Sequence, residues 1–128
     1  MSHTVKVKVE FKVTELPQLS TALKALGWHL VENAEARQYN GRKTYRWVAI
    51  NPDKSTSGYD VGISQKGEQL ELYTDFYNGS VERTLGAHLC KLKQEFAVAV
   101  VEDEFPNANI IRTNQKDGNV LLEIEQWA

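Results

Sequence analysis

The fold of this chain is decided by residues 59–76, which read YDVGISQKGEQLELYTDF. Apolar and polar side chains alternate on both sides of a turn signal at residues 66–67, as in two β-strands that each bury one face. A two-residue loop there puts four apolar side chains on one face: Val61 and Ile63 opposite Leu72 and Leu70. One more loop residue would put them on opposite faces, so we predict the first register.

Further strands and a helix are predicted on the N-terminal side of this hairpin. Residues 5–13 alternate apolar with charged side chains, which is the period of a strand with one solvated face. Residues 14–27 carry leucines at helical spacing and end in a glycine, which adopts the positive φ of a helix end without steric cost. Asn40-Gly41 predicts a tight turn between two strands, the second over residues 42–50.

A second helix and a closing hairpin are predicted on the C-terminal side. Residues 81–104 place apolar side chains three or four positions apart, as an amphipathic helix does, although Gly86 weakens this helix locally. Residues 110–124 contain two apolar runs about a turn at Asp117-Gly118, and we expect the last strand to join the sheet. The order β-α-β-β-β-β-α-β-β predicts a two-layer α+β fold with a mainly antiparallel sheet and two amphipathic helices.

Composition and charge narrow the class of protein. With 128 residues, 41% apolar and 25% charged, the chain resembles an ordinary globular domain, so we expect residues 1–128 to form one domain. The 15 Lys and Arg against 17 Asp and Glu give a net charge of -2, which makes a nucleic-acid binder unexpected because that mode relies on a basic surface. No signal-peptide pattern or long apolar stretch occurs, so we expect a cytoplasmic protein without membrane contact.

No sequence motif predicts catalysis, a metal site or a cofactor. His3, His29 and His88 stand on different predicted elements, and none has a second His or a Cys at ligand spacing. Cys90, the single cysteine, follows a core position of the second predicted helix and is interpreted as a packing residue. The glycines form neither a phosphate-binding loop nor a dinucleotide fingerprint. We therefore expect no catalytic residue, no metal and no cofactor, and we favour a non-enzymatic protein.

The strongest candidate site is the face of the central hairpin opposite to its apolar side chains. The predicted register places four polar side chains on that face: Asp60, Glu71, Tyr73 and Asp75. Gly62 has no side chain between the carboxylates, which would let another backbone or a ligand approach closely. The simple alternative is a solvated sheet face. The functional interpretation is a surface for a partner or ligand, on which the carboxylates select a basic partner.

Several short runs of the chain resemble one known family. They are Met1-Ser2-His3, Leu26-Gly27-Trp28, Tyr39-Asn40-Gly41, YDVGI at residues 59–63, ELYTDFY at 71–77, QEFA at 94–97 and Asp117-Gly118. Together they are similar to the reading-frame family of cyanobacteria and red-algal plastids known as hypothetical chloroplast frame thirty-five, a domain of unknown function. The resemblance covers nearly the whole chain, with looser matches over residues 43–57 and near Arg83. It implies a cyanobacterial or plastid origin and brings no established activity.

Three functional hypotheses follow from these observations. The first is a small cytoplasmic accessory or adaptor protein of a cyanobacterium, or of a virus infecting one, that binds another protein; a homo-oligomer is compatible with it. The second is a small-molecule-binding or enzymatic domain that uses the face of Asp60, Tyr73 and Asp75. The third is an RNA-binding sheet, in which aromatic side chains of residues 45–50 stack on bases.

Overall fold

The computed structural model describes the backbone of residues 5–114 and 120–126, and the side chains of residues 11–107 and 109. The described strands are β1 (Val5–Lys12), β2 (His29–Gln38), β3 (Gly41–Ile50), β4 (Val61–Lys66), β5 (Gln69–Thr74), β6 (Ala108–Asn114) and β7 (Val120–Gln126). The described α-helices are α1 (Leu16–Ala25), α2 (Glu82–Leu85) and α3 (Cys90–Glu104), with 3-10 turns at Val13–Glu15 and Ala87–Leu89. The predicted α+β class and the order of the main elements are confirmed.

The strands form two separate antiparallel sheets. The main sheet has the order β1-β5-β4-β3-β2, while β6 and β7 pair with each other in a second sheet. The predicted closing hairpin therefore exists, but the expectation that its last strand joins the main sheet is wrong. Both edges of the main sheet are taken by strands from the N-terminal part of the chain, β1 and β2. The predicted turn at Asp117-Gly118 lies outside the described residues.

The main core lies between the helices and one face of the five-stranded sheet. Its buried side chains come from both layers and include Phe11, Leu19, Leu23, Trp28, Trp47, Val61, Ile63, Leu70, Leu72, Leu85, Leu89 and Leu92. The four apolar residues of the central hairpin are buried in it together, as the alternation predicts. Each fully buried side chain of this size contributes about 1.5–3 kcal/mol. Trp28 also donates a hydrogen bond from Nε1 to Thr84 Oγ1 at 2.7 Å, which ties α2 to the end of α1.

The turn between β4 and β5 lies one residue further along the chain than predicted. Ile63 pairs with Leu72, so the loop consists of Gly67 and Glu68. Gly67 has a φ of 62°, which glycine adopts freely, and it therefore takes the first loop position. The predicted pairing of Ile63 with Leu70 is wrong. The faces are nevertheless as predicted, because moving a two-residue loop by one position shifts every cross-strand pair by two residues.

The second predicted helix, residues 81–104, is broken near its start. Gly86 ends α2 with a φ of 84°, and His88 and Leu89 follow with φ of 54° and 61°. These values reorient the chain before α3 begins at Cys90. A Cβ on Gly86 would come within 2.6 Å of Cys90 Sγ, so the close approach of the two helices also requires glycine. The weakening predicted at Gly86 is thus a complete break.

The β2–β3 hairpin bends where its side-chain alternation is interrupted. Tyr45 and Val48 belong to one apolar cluster on the outer face of the sheet, whereas Trp47 between them belongs to the helix-side core. Opposite this point, Asn33 interrupts β2 with a φ of 48°. On the C-terminal side of the bend, β3 pairs with β4 at Trp47, Val48 and Ala49. On the other side of the bend, residues 34–45, which include the turn between β2 and β3, lie against the outer face of the sheet. We call this segment the arm.

Candidate functional site

The arm is held on the sheet by an ion pair between Arg37 and Asp60. Nε and Nη2 of Arg37 donate to the two carboxylate oxygens of Asp60 at 3.0 and 2.8 Å, and the backbone N–H of Arg37 donates to the same carboxylate at 2.8 Å. The backbone N–H of Asp60 in turn donates to the carbonyl of Arg37 at 3.0 Å. The hydrogen bond to Asp60 raises the pKa of Arg37 against the opposing effect of burial, so the guanidinium stays charged.

The same arginine organises the loop between β3 and β4. Nη1 of Arg37 donates to the carbonyls of Asp53 and Ser55 at 2.9 and 2.8 Å. The backbone N–H of Asn51 donates to the Asp60 carboxylate at 2.9 Å. Within the loop, the backbone N–H of Ser55 donates to the Asp53 carboxylate and thereby lowers the pKa of Asp53. The β3–β4 loop is therefore tied to the arm by the buried Arg37–Asp60 ion pair.

The tip of the arm carries an exposed tyrosine that packs on a second one. The backbone N–H of Tyr39 donates to the carboxylate of Asp75 at 2.8 Å. The rings of Tyr39 and Tyr77 meet edge to face, with centroids 5.1 Å apart and planes at 62°. The two side chains are 44% and 63% exposed, and they are the exposed large apolar side chains of the described residues. Burial, followed by the nearby Asp75 carboxylate, raises the pKa of Tyr59.

The space left open at Gly62 is filled by Tyr45 of the arm. A Cβ on Gly62 would overlap the Tyr45 ring, which also stacks on Tyr73 with centroids 5.6 Å apart and planes at 26°. The Tyr45 hydroxyl accepts a hydrogen bond from Gln38 Nε2 at 2.6 Å. Gly62 thus permits a close approach, as the sequence predicts, but the group that approaches belongs to the same chain.

The four sequence-predicted site residues do not form one open surface. Asp60 and Asp75 are 1% and 0% exposed, because Arg37 and the backbone of Tyr39 use their carboxylates. The expectation that both point to solvent is therefore wrong. Glu71 and Tyr73 remain half-buried neighbours on the outer face, with a contact of 3.4 Å from the Tyr73 hydroxyl to the Glu71 carboxylate.

The sequence reasoning missed the tyrosine pair, although the chain contains a signal for it. The tripeptide Tyr-Asn-Gly occurs at residues 39–41 and again at 77–79. Both copies lie at turns, and the structure brings their tyrosine rings into contact. Asn40-Gly41 predicts a turn by itself, whereas the tyrosine before it becomes informative only when the two copies are compared. The repeat could have indicated that two turns present the same side chain at one end of the sheet.

The arrangement at the tip of the arm offers aromatic stacking and hydrogen bonding. In the described part of the chain, no three His, Cys, Asp or Glu side chains stand close enough to hold a metal ion. His29 and His88 are exposed on separate elements, Cys90 is half-buried, and His3 lies outside the described residues. None of the helices in the described residues has both the length and the apolar composition needed to cross a membrane.

Comparison with known proteins identifies a family without assigning an activity. A family model described as a protein of unknown function (DUF1257) matches residues 22–122. No curated protein and no solved structure matches the chain. The matched range includes the arm, the central hairpin and the tyrosine pair, so the candidate site lies within the family domain. This chain therefore belongs to the DUF1257 family of proteins of unknown function.

Proposed function

We propose that the protein is a small accessory or adaptor protein that binds another protein through the tyrosine pair at the tip of the arm. The observation that carries this proposal is the exposure of Tyr39 and Tyr77, 44% and 63%, in a fixed edge-to-face contact. Tyrosine is enriched at protein interfaces, because it supplies a large contact area with a polar end and loses little conformational entropy. An exposed pair of this kind is a natural anchor for a partner.

The frame beneath the pair supports this function. The backbone N–H of Tyr39 donates a hydrogen bond to the buried carboxylate of Asp75. The arm that carries Tyr39 is held on the sheet by the ion pair of Arg37. On the other side, Nδ2 of Asn78 donates to the carbonyl of Ser57 at 2.6 Å, which ties the turn after Tyr77 to the β3–β4 loop. A surface that is ordered before binding loses less entropy when the complex forms.

The sequence-predicted residues take two different roles in this proposal. Asp60 and Asp75 act as positioning residues, since their buried carboxylates hold the arm and its tip. Glu71 and Tyr73 are half-buried on the outer face beside the arm, where they would contribute to the rim of an interface. The two alternative hypotheses have no comparable support: Tyr45 already fills the space at Gly62, and Trp47 is buried in the core instead of being presented to a base.

The proposal extends to the origin and location of the protein. We propose that it is a member of the hypothetical chloroplast frame thirty-five family and acts in the cytoplasm of a cyanobacterium or of a virus infecting one. The support is the set of runs given above, from Tyr39-Asn40-Gly41 to the YDVGI and ELYTDFY segments. Those runs supply Tyr39, Asp60, Asp75 and Tyr77, which build and support the tip.

Site-specific photo-crosslinking tests the proposed surface. The photoreactive amino acid benzoylphenylalanine replaces Tyr77 in the full chain, which is irradiated in a lysate of the source cells. A control protein carries the same group at Glu68, an exposed residue in the turn at the other end of β5. We expect a discrete protein adduct from position 77 that unlabelled wild-type chain competes away, and none from position 68. Equal adducts from both positions, or none from either, would refute the proposed surface.

A further inference from the structure

The first half of β2 is an open sheet edge. Within the described residues, β2 pairs with β3 on one side and is the last strand of the main sheet on the other. An edge strand presents free N–H and C=O groups, onto which another strand can pair. In the second half of β2 this edge is closed, since both backbone groups of Arg37 bond to Asp60. The open part is therefore residues 29–32, up to the interruption at Asn33.

A cleft of about 240 Å³ lies beside this open edge, between α1 and the sheet. Its lining is mainly apolar and includes Leu16 and Pro17 of α1, Leu30 of β2 and Trp47 of β3. The volume lies below the roughly 300–1,000 Å³ of pockets that enclose drug-sized molecules. It fits one large apolar side chain better than a whole small molecule.

One charged side chain borders the cleft. Glu32 belongs to its lining and is exposed, and no described side chain forms an ion pair with it. The candidate cation nearest to Glu32 in the pairing of β2 with β3 is Arg46. Its guanidinium lies over the Trp47 ring, 4.6 Å from the ring centroid, and donates a hydrogen bond to the Gln65 side chain at 3.1 Å. A ligand that reaches the cleft therefore meets an available carboxylate, which favours a basic group on the ligand.

We propose that this edge and cleft form a second binding site, which takes an extended segment of a partner protein. The segment adds as a short strand to residues 29–32, places one large apolar side chain in the cleft and sets a Lys or Arg against Glu32. Backbone hydrogen bonds at the edge supply affinity, and the cleft and the carboxylate supply specificity. This site is separate from the tyrosine pair and does not depend on the function proposed for it.

Selection from a random nonapeptide library displayed on phage tests this site on the full chain. We expect the enriched peptides to share a large apolar residue beside a Lys or Arg. Ser20→Trp, which fills the cleft from α1, should weaken the best peptide about tenfold or more, as loss of a central anchor does. Ala25→Trp adds the same ring at an exposed position of α1 outside the cleft lining and should leave the affinity unchanged.

A charge exchange tests the role of Glu32 at an exposed position that cannot disturb the core. Glu32→Lys should weaken the basic peptide, and a peptide with Glu in place of its basic residue should recover binding to that variant. Glu35→Lys on the same strand is the matched control, since Glu35 is exposed and does not line the cleft. The proposal is overturned if no peptide is enriched, if the enriched peptides are acidic, or if binding is indifferent to both Ser20→Trp and Glu32→Lys. Because Glu32→Lys is a surface change, it decides the question even if Ser20→Trp does not fold.

Discussion

Arg37 and Asp60 form a bidentate ion pair, with hydrogen bonds of 3.0 and 2.8 Å, that fixes the arm to the outer face of the sheet. Asp60 is 1% exposed, and its carboxylate also accepts hydrogen bonds from two backbone N–H groups. The negative charge is therefore compensated by groups of the same chain. The outer face is thereby closed by the chain's own hairpin. What this end of the molecule presents to a partner is the tip of the arm, with Tyr39 packed on Tyr77.

Breaking the ion pair should strongly destabilise the fold. Arg37→Met leaves the Asp60 carboxylate buried without its cation, and we expect a loss of about 3–5 kcal/mol in the free energy of unfolding. Asp60→Leu should have a similar effect, while the double substitution should cost clearly less than the sum of the two. Urea denaturation of the four proteins measures this coupling. Strictly additive effects, or single losses below about 1 kcal/mol, would show that the pair does not hold the arm.

Gly62→Ala should destabilise the protein through the Tyr45 ring. The added methyl overlaps that ring, and we expect a loss of about 1–3 kcal/mol, the usual effect of overpacking. Ser64→Ala, two residues further along β4, is the control and should change stability by less than about 0.5 kcal/mol. In a Tyr45→Ala background the cost of Gly62→Ala should largely disappear. If it persists there, the substitution acts on the strand itself and not on the docking of the arm.

Leu72→Ala tests the helix-side core. Leu72 is completely buried, so removing its side chain should cost about 2–5 kcal/mol. Gln69→Ala, on the same strand but exposed, should have little effect. Thermal or urea unfolding compares the two variants. An unchanged melting temperature for Leu72→Ala would contradict the packing of β5 against the helices.

Tyr59 should make the stability depend on alkaline pH. Burial and the Asp75 carboxylate raise its pKa above the ordinary value of 10.0. A raised pKa means that the folded state favours the neutral phenol, so this stabilisation is complete below pH 10 and is lost as the pH rises through the raised value. We expect the wild type to lose stability relative to Tyr59→Phe in that range. A titration of tyrosinate absorbance in which Tyr59→Phe removes a phenol with a midpoint below 10 would contradict this.

The sequence predicts the central hairpin well because its evidence is local. Alternating side chains fix which face of β4 and β5 is buried, and a glycine in the turn confines the loop to two possible positions. The loop predicted at residues 66–67 lies one position too early, which changes the partner of Ile63 from Leu72 to Leu70 but leaves the faces unchanged. The break at Gly86 is also local. Its extent depends on the close contact with Cys90, which the helix propensity of a single residue does not predict.

The arm could not be predicted in the same way. Its bend is at Asn33, where neither a glycine nor a proline marks an interruption, and its docking depends on a partner 23 positions away in the chain, Asp60 paired with Arg37. An aspartate at a polar position of an alternating strand is ordinarily found on the solvated face, so the pattern alone favours a solvated carboxylate. The residues of the tip were accessible to sequence reasoning only through the repeated Tyr-Asn-Gly.

The most direct test of the proposed function is the affinity of the photo-crosslinked partner for a double variant, Tyr39→Ser with Tyr77→Ser, measured by titration calorimetry. Both side chains are partly exposed, so the variant should stay folded and lose only about the 0.5–1.5 kcal/mol that an aromatic pair contributes. We predict a loss of binding free energy of about 2 kcal/mol or more, as expected for aromatic anchors at the centre of an interface. An affinity equal to that of the wild type, in a variant that still unfolds cooperatively, would contradict the assignment of the tyrosine pair as the partner-binding surface.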